Sequence, residues 1–545
     1  MMLRMLLAAA TLAFPAPALA DLLVTNVQGV RTTADREVER FTGLLIGDDG
    51  KVKRVLKGEK LKLPAGTMVM NGGGRTLLPG LIDAHGHVMG LGLALGQLDL
   101  VGTKSLDELQ QRLRAYAAAN PDRPWITGRG WNQELWPDKR MPTTADLDAV
   151  VSDRPVWLER VDGHAAVGNS AALRSAGVTA ATPAPSGGKI DKGLFVDAAM
   201  ALIDSKVPQP TPAMRRSALM RAQEALLSRG LTAVADMGTS MEDWSAINSA
   251  KADGKLPLRL FLYAAGSETL DRMLRTPQTS RKVPIIGVKL YADGALGSRG
   301  AWLKEPYADA PHTRGLALLT PAELRREAAK ALAAGKQVAV HAIGDAANDM
   351  VLSAFADVGC RSGDRRCRVE HAQIVDVADL GRFAAGKVIA SMQPVHQTSD
   401  RTMAEARLGQ TRLGGAYAWQ TLARGRTLLA LGSDFPVEDA NPFHGLTAAV
   451  SRQGLDGQPA GGWRPHERLT FGQALAGFTR DGAHASFAEK QMGALEPGQW
   501  ADFILVDRQV ADVSPAELAR TAVLETWIAG KKVWSRRDPA KAAAR

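Results

Sequence analysis

Cysteine is nearly absent from this chain: Cys360 and Cys367 are the only two in 545 residues. Neither follows the apolar N-terminal segment, so no thiol stands there to carry a lipid anchor. Aromatic residues make up only 5% of the chain, and they are not interleaved with basic residues into a stripe. That argues against a nucleic-acid partner. Charge of one sign is also weak, since 67 basic and 57 acidic residues leave a net +10 spread along the chain. The excess still permits attraction of an acidic substrate or an anionic cell surface. Beyond residue 20 no run is long and apolar enough to span a bilayer. There is no internal repeat and no glycine fingerprint of the phosphate-binding type opening a helix.

What is present begins at the N-terminus. Arg4, the apolar run from Met5 to Phe14 and the small-residue site Ala18-Leu19-Ala20 predict a secretory signal peptide over residues 1–20, with the mature chain starting near Asp21. A retained anchor is the rival reading, but the run falls short of the roughly 20 residues a spanning helix needs, and prolines interrupt its end. The protein is therefore expected to be exported, periplasmic or secreted, with no stable membrane anchor. Export changes the meaning of the cysteines. In an oxidising compartment, Cys360 and Cys367, which bracket Arg361-Ser-Gly-Asp-Arg-Arg366, are expected to pair, with a free buried pair as the alternative.

Eight apolar, β-branched runs each close in a polar or glycine turn and lead into a helical pattern. They are Leu77 to His87, Leu231 to Gly238, Leu258 to Ala264, Gly287 to Gly294, Gln337 to Gly344, Arg368 to Gln373, Val388 to Gln393 and Thr427 to Asp434. This rhythm predicts a parallel α/β structure, and eight strand-helix units predict a TIM (β/α)8 barrel over 77–488 rather than an open doubly wound sheet. The interval between the first two runs is too long for one crossover. It is read as an insertion over 97–212, closing in Val207-Pro-Gln-Pro-Thr-Pro212 and placed to roof the barrel's C-terminal rim. Short strands at 22–26, 41–46, 52–56 and 67–70, and again at 501–506 and 524–533, predict a small β-sandwich built from both chain ends, over 21–76 and 489–535. The basic, alanine-rich stretch 536–545 is read as a tail.

Six potential metal ligands fall at strand ends. His85 and His87 lie at i and i+2 in Asp83-Ala-His-Gly-His87, so one strand can turn both imidazoles to one ion. His341 closes Val338-Ala-Val-His341, His371 closes Arg368-Val-Glu-His371, and Asp434 closes Leu429-Ala-Leu-Gly-Ser-Asp434. A lone strand histidine is more often a hydrogen-bonded core residue, and a strand-end aspartate often a helix cap. Four His and one Asp at equivalent depths of one barrel point instead to a metal-dependent hydrolase. Lys289 fits only if modified: a desolvated lysine has a lowered pKa, and its neutral amine can add carbon dioxide to give a carbamate that bridges two metals. The alternative is an ion pair with Asp293 or another acid.

On these residues the chain resembles the amidohydrolase superfamily, in its YtcJ-like branch of metal-dependent hydrolases. The motifs are Pro79-Gly-Leu-Ile-Asp-Ala-His-Gly-His87, Trp131-Asn-Gln-Glu-Leu-Trp136, Asp162-Gly-His164, Val288-Lys-Leu-Tyr-Ala-Asp-Gly-Ala-Leu-Gly-Ser-Arg299, His341-Ala-Ile-Gly-Asp345, Glu370-His-Ala-Gln373, Ser391-Met-Gln-Pro394 and Gly432-Ser-Asp-Phe-Pro-Val437. The resemblance implies a distorted barrel with a terminal sandwich, one or two divalent ions, usually zinc, and hydrolysis of amide-like, non-peptide C–N bonds. It implies that His85 and His87 hold the first ion, carboxylated Lys289 bridges, and His341 and His371 hold the second. Asp434 would complete the ligand set and carry the proton as the catalytic residue. Zinc brings the pKa of bound water from 15.7 to about 7, so hydroxide is available at neutral pH.

Substrate contacts are expected from His164, Asp293, Arg299, Gln373 and His396. Trp131 and Trp136 line either the pocket or the core of the insertion. The expected partner is a small amide-like molecule, with a homo-oligomer left open. The same centre would serve a lactonase or esterase, and a binding or regulatory protein without turnover is the reading from outside the enzymes.

Overall fold

A computed structural model describes residues 20–59, 62–161, 163, 165–185, 188–277 and 282–537. Nearly all of the expected signal peptide, the end of the basic tail, and His164 lie outside the described residues. Among the described residues no helix is long and apolar enough to cross a membrane.

Eight strands form one parallel sheet in chain order: β1 (Leu81–Gly86), β2 (Leu231–Thr239), β3 (Arg259–Ala265), β4 (Ile285–Tyr291), β5 (Gln337–Ala342), β6 (Arg368–His371), β7 (Ile389–Met392) and β8 (Leu429–Leu431). Their residues are buried on both faces, as in β2 and β6, which is why they read as continuous apolar runs. Helices such as Pro321–Ala333, started by a Thr320 and Glu323 capping box, cover the outside. The first and last strands share no ladder. Their seam closes just past the strand ends, where Asp434 N–H donates to His85 O (2.7 Å) and His87 N–H to Phe435 O (2.8 Å). The barrel is nearly closed, and the seam falls on three of the expected ligands or their neighbours.

The run from Leu77 to His87 is not one strand. Thr76–Pro79 belongs to a different sheet, and the barrel begins only at Leu81. The chain breaks at Gly80, where a Cβ would lie 2.4 Å from Thr232 Oγ1, so only glycine lets the backbone turn this close against β2. Thr76–Pro79 sits in a six-stranded sheet with Gln28–Thr32, Val38–Phe41, Phe503–Val506, Val523–Ile528 and Lys531–Ser535. A four-stranded sheet of Leu22–Thr25, Gly43–Ile46, Val52–Leu56 and Met68–Asn71 faces the same apolar core, in which Val24, Phe41, Leu44, Phe503 and Trp527 meet. Two expected strands divide differently. The stretch 41–46 splits at Thr42 between the two sheets, and 524–533 is a hairpin turning at Ala529 and Gly530, both at positive φ.

The insertion follows a short helix, Val88–Ala94, and builds a six-stranded sheet of its own from Leu98–Asp99, Ile126–Trp131, Val156–Arg160, Ala165–Gly168, Gly188–Asp191 and Leu194–Asp197. Trp131 and Trp136 are fully buried in its core. Their indole N–H groups donate to Leu158 O and Thr103 O, so they hold the insertion together rather than facing a pocket. The proline-rich exit ends at Thr211, whose hydroxyl caps the helix Pro212–Ser228. Cys360 and Cys367 are joined by a disulfide across the loop that leads into β6.

Gly86, between the paired histidines, packs against the seam: a Cβ there would sit 2.4 Å from the Phe435 ring. Gly86→Ala is expected to destabilise the fold by about 1–3 kcal/mol through overpacking, read as a lower urea midpoint at unchanged slope. An unchanged midpoint would mean that Phe435 moves freely and that the seam is not tight.

Candidate metal centre

At the C-terminal ends of the strands, one ligand atom each from His85, His371 and Asp434 lies within 4.8 Å of the others. All three side chains are buried. β1 supplies His85 at its penultimate position, and β6 ends on His371. Asp434 comes from the turn after β8, carried there by the seam hydrogen bonds. Two of these residues adopt left-handed backbone, His371 at φ 75° and Asp434 at φ 61°. Such conformations cost non-glycine residues about 1–3 kcal/mol and cluster at functional sites. At β6 the turn has a clear effect, because Arg368 and Glu370 alternate toward the barrel interior and a regular strand would send His371 the other way.

The other candidates surround this cluster. His87 Nε2 is 3.0 Å from Asp434 Oδ1. Lys289, at 1% exposure, places Nζ 3.2 Å from His85 Nε2 and lies over the ring of Tyr291. The His341 ring packs 4.6 Å from that of His371, while its Nε2 faces Gly294 O at 3.4 Å and Asp293 Oδ1 at 3.6 Å. The alternative of a Lys289 ion pair with Asp293 is not formed among the described residues.

Several neighbours set the protonation and direction of the imidazoles. Glu370 Oε2 takes His85 Nδ1 at 2.6 Å, and Gln393 Oε1 takes His371 Nδ1 at 2.8 Å. Each acceptor draws the ring proton to Nδ1 and leaves the Nε2 lone pair free for a cation. Glu370 is itself fixed by Arg368, through Nε at 2.5 Å and Nη2 at 3.0 Å. Burial pushes His85 down to about 4 and His341 to about 3, with the nearby Lys289 charge adding to both. His371 is held well below its usual range by the same desolvation and by its histidine neighbours. Burial also brings Lys289 down to about 8. Burial alone would raise the Asp434 carboxyl, but the surrounding imidazoles of His85, His87 and His371 outweigh it and hold it well below the carboxylate range. Neutral imidazoles with free Nε2 lone pairs beside an ionised carboxylate form a donor set that suits zinc or a similar divalent ion. The residues present fit the implied metal.

Asp293 is 1% exposed, and its carboxylate accepts backbone N–H groups from Trp302, Ile343 and Gly344 at 2.8–3.0 Å. It therefore braces the turns after β4 and β5, with Oδ1 3.6 Å from His341 Nε2. Arg299 is likewise engaged elsewhere, forked onto Asp309 at 2.9 and 3.2 Å, with Arg407 on the same carboxylate. Gln373 and His396 do join the centre. Gln373 Nε2 lies 3.1 Å from His396 Nδ1, and Gln373 Oε1 meets the Tyr417 hydroxyl at 3.3 Å. An amide nitrogen can only donate, so Nδ1 accepts and the His396 proton stays on Nε2. That Nε2 is buried with no hydrogen-bond partner among the described residues, 3.7 Å from Asp434 Oδ2.

Glu370, Arg368, Gln393 and Tyr417 are site residues that the sequence reading does not name. Glu370 and Gln393 stand inside two of the quoted motifs, and Arg368 and Glu370 have an ion-pair spacing, i and i+2, on a strand that otherwise reads as apolar core. Tyr417 carries no such mark.

The amidohydrolase family model matches residues 69–534. Among curated proteins, Protein LONG AFTER FAR-RED 3 of Arabidopsis thaliana is 36% identical over 95% of this chain and 92% of its own. YtcJ of Bacillus subtilis, an amidohydrolase by name, is 34% identical over 90% and 95%. The N-substituted formamide deformylase of Arthrobacter pascens is 27% identical over 85% and 89%. Among solved structures, an uncharacterized metal-dependent hydrolase from Pyrococcus horikoshii superposes with a TM-score of 0.76 at 30% identity, over 91% of this chain and 99% of that one. Matched along most of its length by the family model, with a barrel that gathers His85, His371 and Asp434 at one end, the chain belongs to the amidohydrolase family.

Proposed function

We propose that the protein is an exported metal-dependent hydrolase that cleaves a non-peptide, amide-like C–N bond of a small molecule. The observation that carries this reading is the convergence of His85, His371 and Asp434 within 4.8 Å beside a buried lysine held down by desolvation. His87 and His341 stand at the edge of the same cluster and complete a set for one or two divalent ions. Neutral Lys289 could add carbon dioxide with loss of a proton, and the resulting carbamate would supply a carboxylate-like ligand to the same set. When bound, such ions lower the pKa of water toward 7 and polarise the scissile carbonyl.

The chain's own residues do the rest. Asp434 is ionised and 3.0 Å from His87 Nε2, placed to take the proton of the attacking water and pass it to the leaving nitrogen. His396 offers a buried Nε2–H that has no hydrogen-bond acceptor among the described residues, held in that tautomer by Gln373, and donates it to the carbonyl oxygen as charge develops there. The name of the Arthrobacter relative, a formamide deformylase, supports a C–N bond as the target. The disulfide Cys360–Cys367 supports an oxidising compartment, periplasmic or secreted.

The deciding experiment is metal content per chain by elemental mass spectrometry, followed by hydrolysis of N-formyl, N-acyl-amino-acid, cyclic-amide and lactone substrates. Near two divalent ions are expected, with less in Lys289→Ala. A chain that binds no metal even with zinc and bicarbonate supplied refutes the mechanism, and turnover of lactones alone moves the activity to esters. Because the Lys289 amine is protonated below about 8 and must be neutral to add carbon dioxide, metal-free protein should load zinc with bicarbonate faster at pH 9 than at pH 6.5. Equal rates would remove the carbamate from the account. His396→Ala should lower kcat/KM by roughly 10²-fold, about the worth of one oxyanion donor, with bound metal unchanged. An unaltered kcat/KM would take His396 out of the reaction.

A further inference from the structure

A second cavity, of about 830 Å³, lies between the sheet of the insertion and the helix Pro212–Ser228. It is within the range of small-molecule sites, and none of the proposed metal ligands lines it. Its floor is the strand Val156–Arg160, where Trp157 and Glu159 are two residues apart and so share a face. Trp125 packs with Trp157 in the same apolar cluster, and the prolines of Val207-Pro-Gln-Pro-Thr211 form a wall.

The polar groups of this groove are unevenly matched. Asp204 accepts the Trp157 indole N–H at 2.7 Å, which fixes one carboxylate against the aromatic floor. Glu159 faces the groove with no hydrogen bond or ion pair among the described residues, and burial pushes its carboxyl up, with Arg129 only partly opposing. The two arginines on the lining are committed elsewhere: Arg221 donates to Gly92 O at 3.0 and 3.2 Å, and Arg123 lies over the Tyr116 ring. Glu159, Asp204 and the two indoles thus share a groove in which Asp122 is a third acid and the two lining arginines are turned to other partners.

We propose that this groove is a second binding site, distinct from the metal centre, for a small organic ammonium ion with an aromatic or apolar body. The ammonium would ion-pair with Glu159 and Asp204, and its body would lie along Trp125 and Trp157, where indole faces attract cations. The site stands independently of the hydrolase reading.

Calorimetric titration of the mature full chain with phenethylammonium chloride tests it. Saturable binding of one ion per chain is expected, weakened at least tenfold by Glu159→Gln and also by Trp125→Ala, whose indole is half-buried at the edge of the groove. Neutral phenethyl alcohol and anionic phenylacetate should bind at least tenfold more weakly than the ammonium, and His85→Ala should leave the ammonium affinity unchanged. The proposal is overturned by no saturable binding, by equal affinity for the alcohol or the acid, by full affinity in both groove variants, or by loss of binding in His85→Ala, which would place the ion at the metal centre.

Discussion

The buried Arg368 guanidinium is the fixed point of the barrel interior. It donates to Glu370 on its own strand, to Ser391 Oγ of β7 (2.6 Å), to Ala84 O of β1 (2.6 Å) and to the Tyr263 hydroxyl of β3 (3.0 Å). Tyr263 in turn donates to Gln337 of β5. One cation thereby ties five of the eight strands together. An ion at that depth carries a desolvation penalty of several kcal/mol, which only a saturated set of partners offsets, and removing a partner of such a pair typically costs about 3–5 kcal/mol. Glu370 passes the constraint on to His85 Nδ1, so the packing of the barrel and the tautomer of a candidate ligand are set by the same bonds.

A second constraint acts at the seam. β1 and β8 do not pair as strands, and the two backbone bonds that join them beyond their ends involve His85, His87, Asp434 and Phe435. Asp83 reinforces the junction by accepting the Ser433 hydroxyl at 2.6 Å and the His85 N–H at 3.0 Å. The candidate ligands are therefore part of the barrel's closure. This helps explain how positive φ at Asp434 is tolerated: the surrounding contacts over-determine it.

Much of this was legible in the sequence because it depends on period and position. The eight runs, the strand-end placement of His85, His341 and His371, and the long first connection follow from apolar patterning and spacing. What stayed hidden depends on backbone detail or on partners far apart in sequence. The break at Gly80 is invisible in a run that stays apolar through Pro79. Asp293 reads as a site residue by its place after β4, yet its oxygens accept three backbone N–H groups, one from its own loop and two from the turn after β5. Arg299 sits in a family motif, but the acid it meets, Asp309, lies in the same loop. The turn of His371 into the centre comes from one dihedral angle, and no residue preference announces it.

The sandwich carries a consequence for the order of events in folding. Thr76–Pro79 leads directly into β1, and its antiparallel neighbour is Phe503–Val506, with Pro79 opposite Phe503 and Thr76 opposite Val506. More than four hundred residues separate these partners, so the closing of that ladder is among the most non-local events in the chain, and contacts of this kind form slowly. The approach segment to the strand that bears His85 pairs on one edge with Gln28 and Gly29, but its other edge stays open until Phe503–Val506 has been made. Assembly of the proposed centre is thus completed from far along the chain, and a polypeptide that stops short of residue 503 holds a barrel whose first strand is supported on one edge of its approach only.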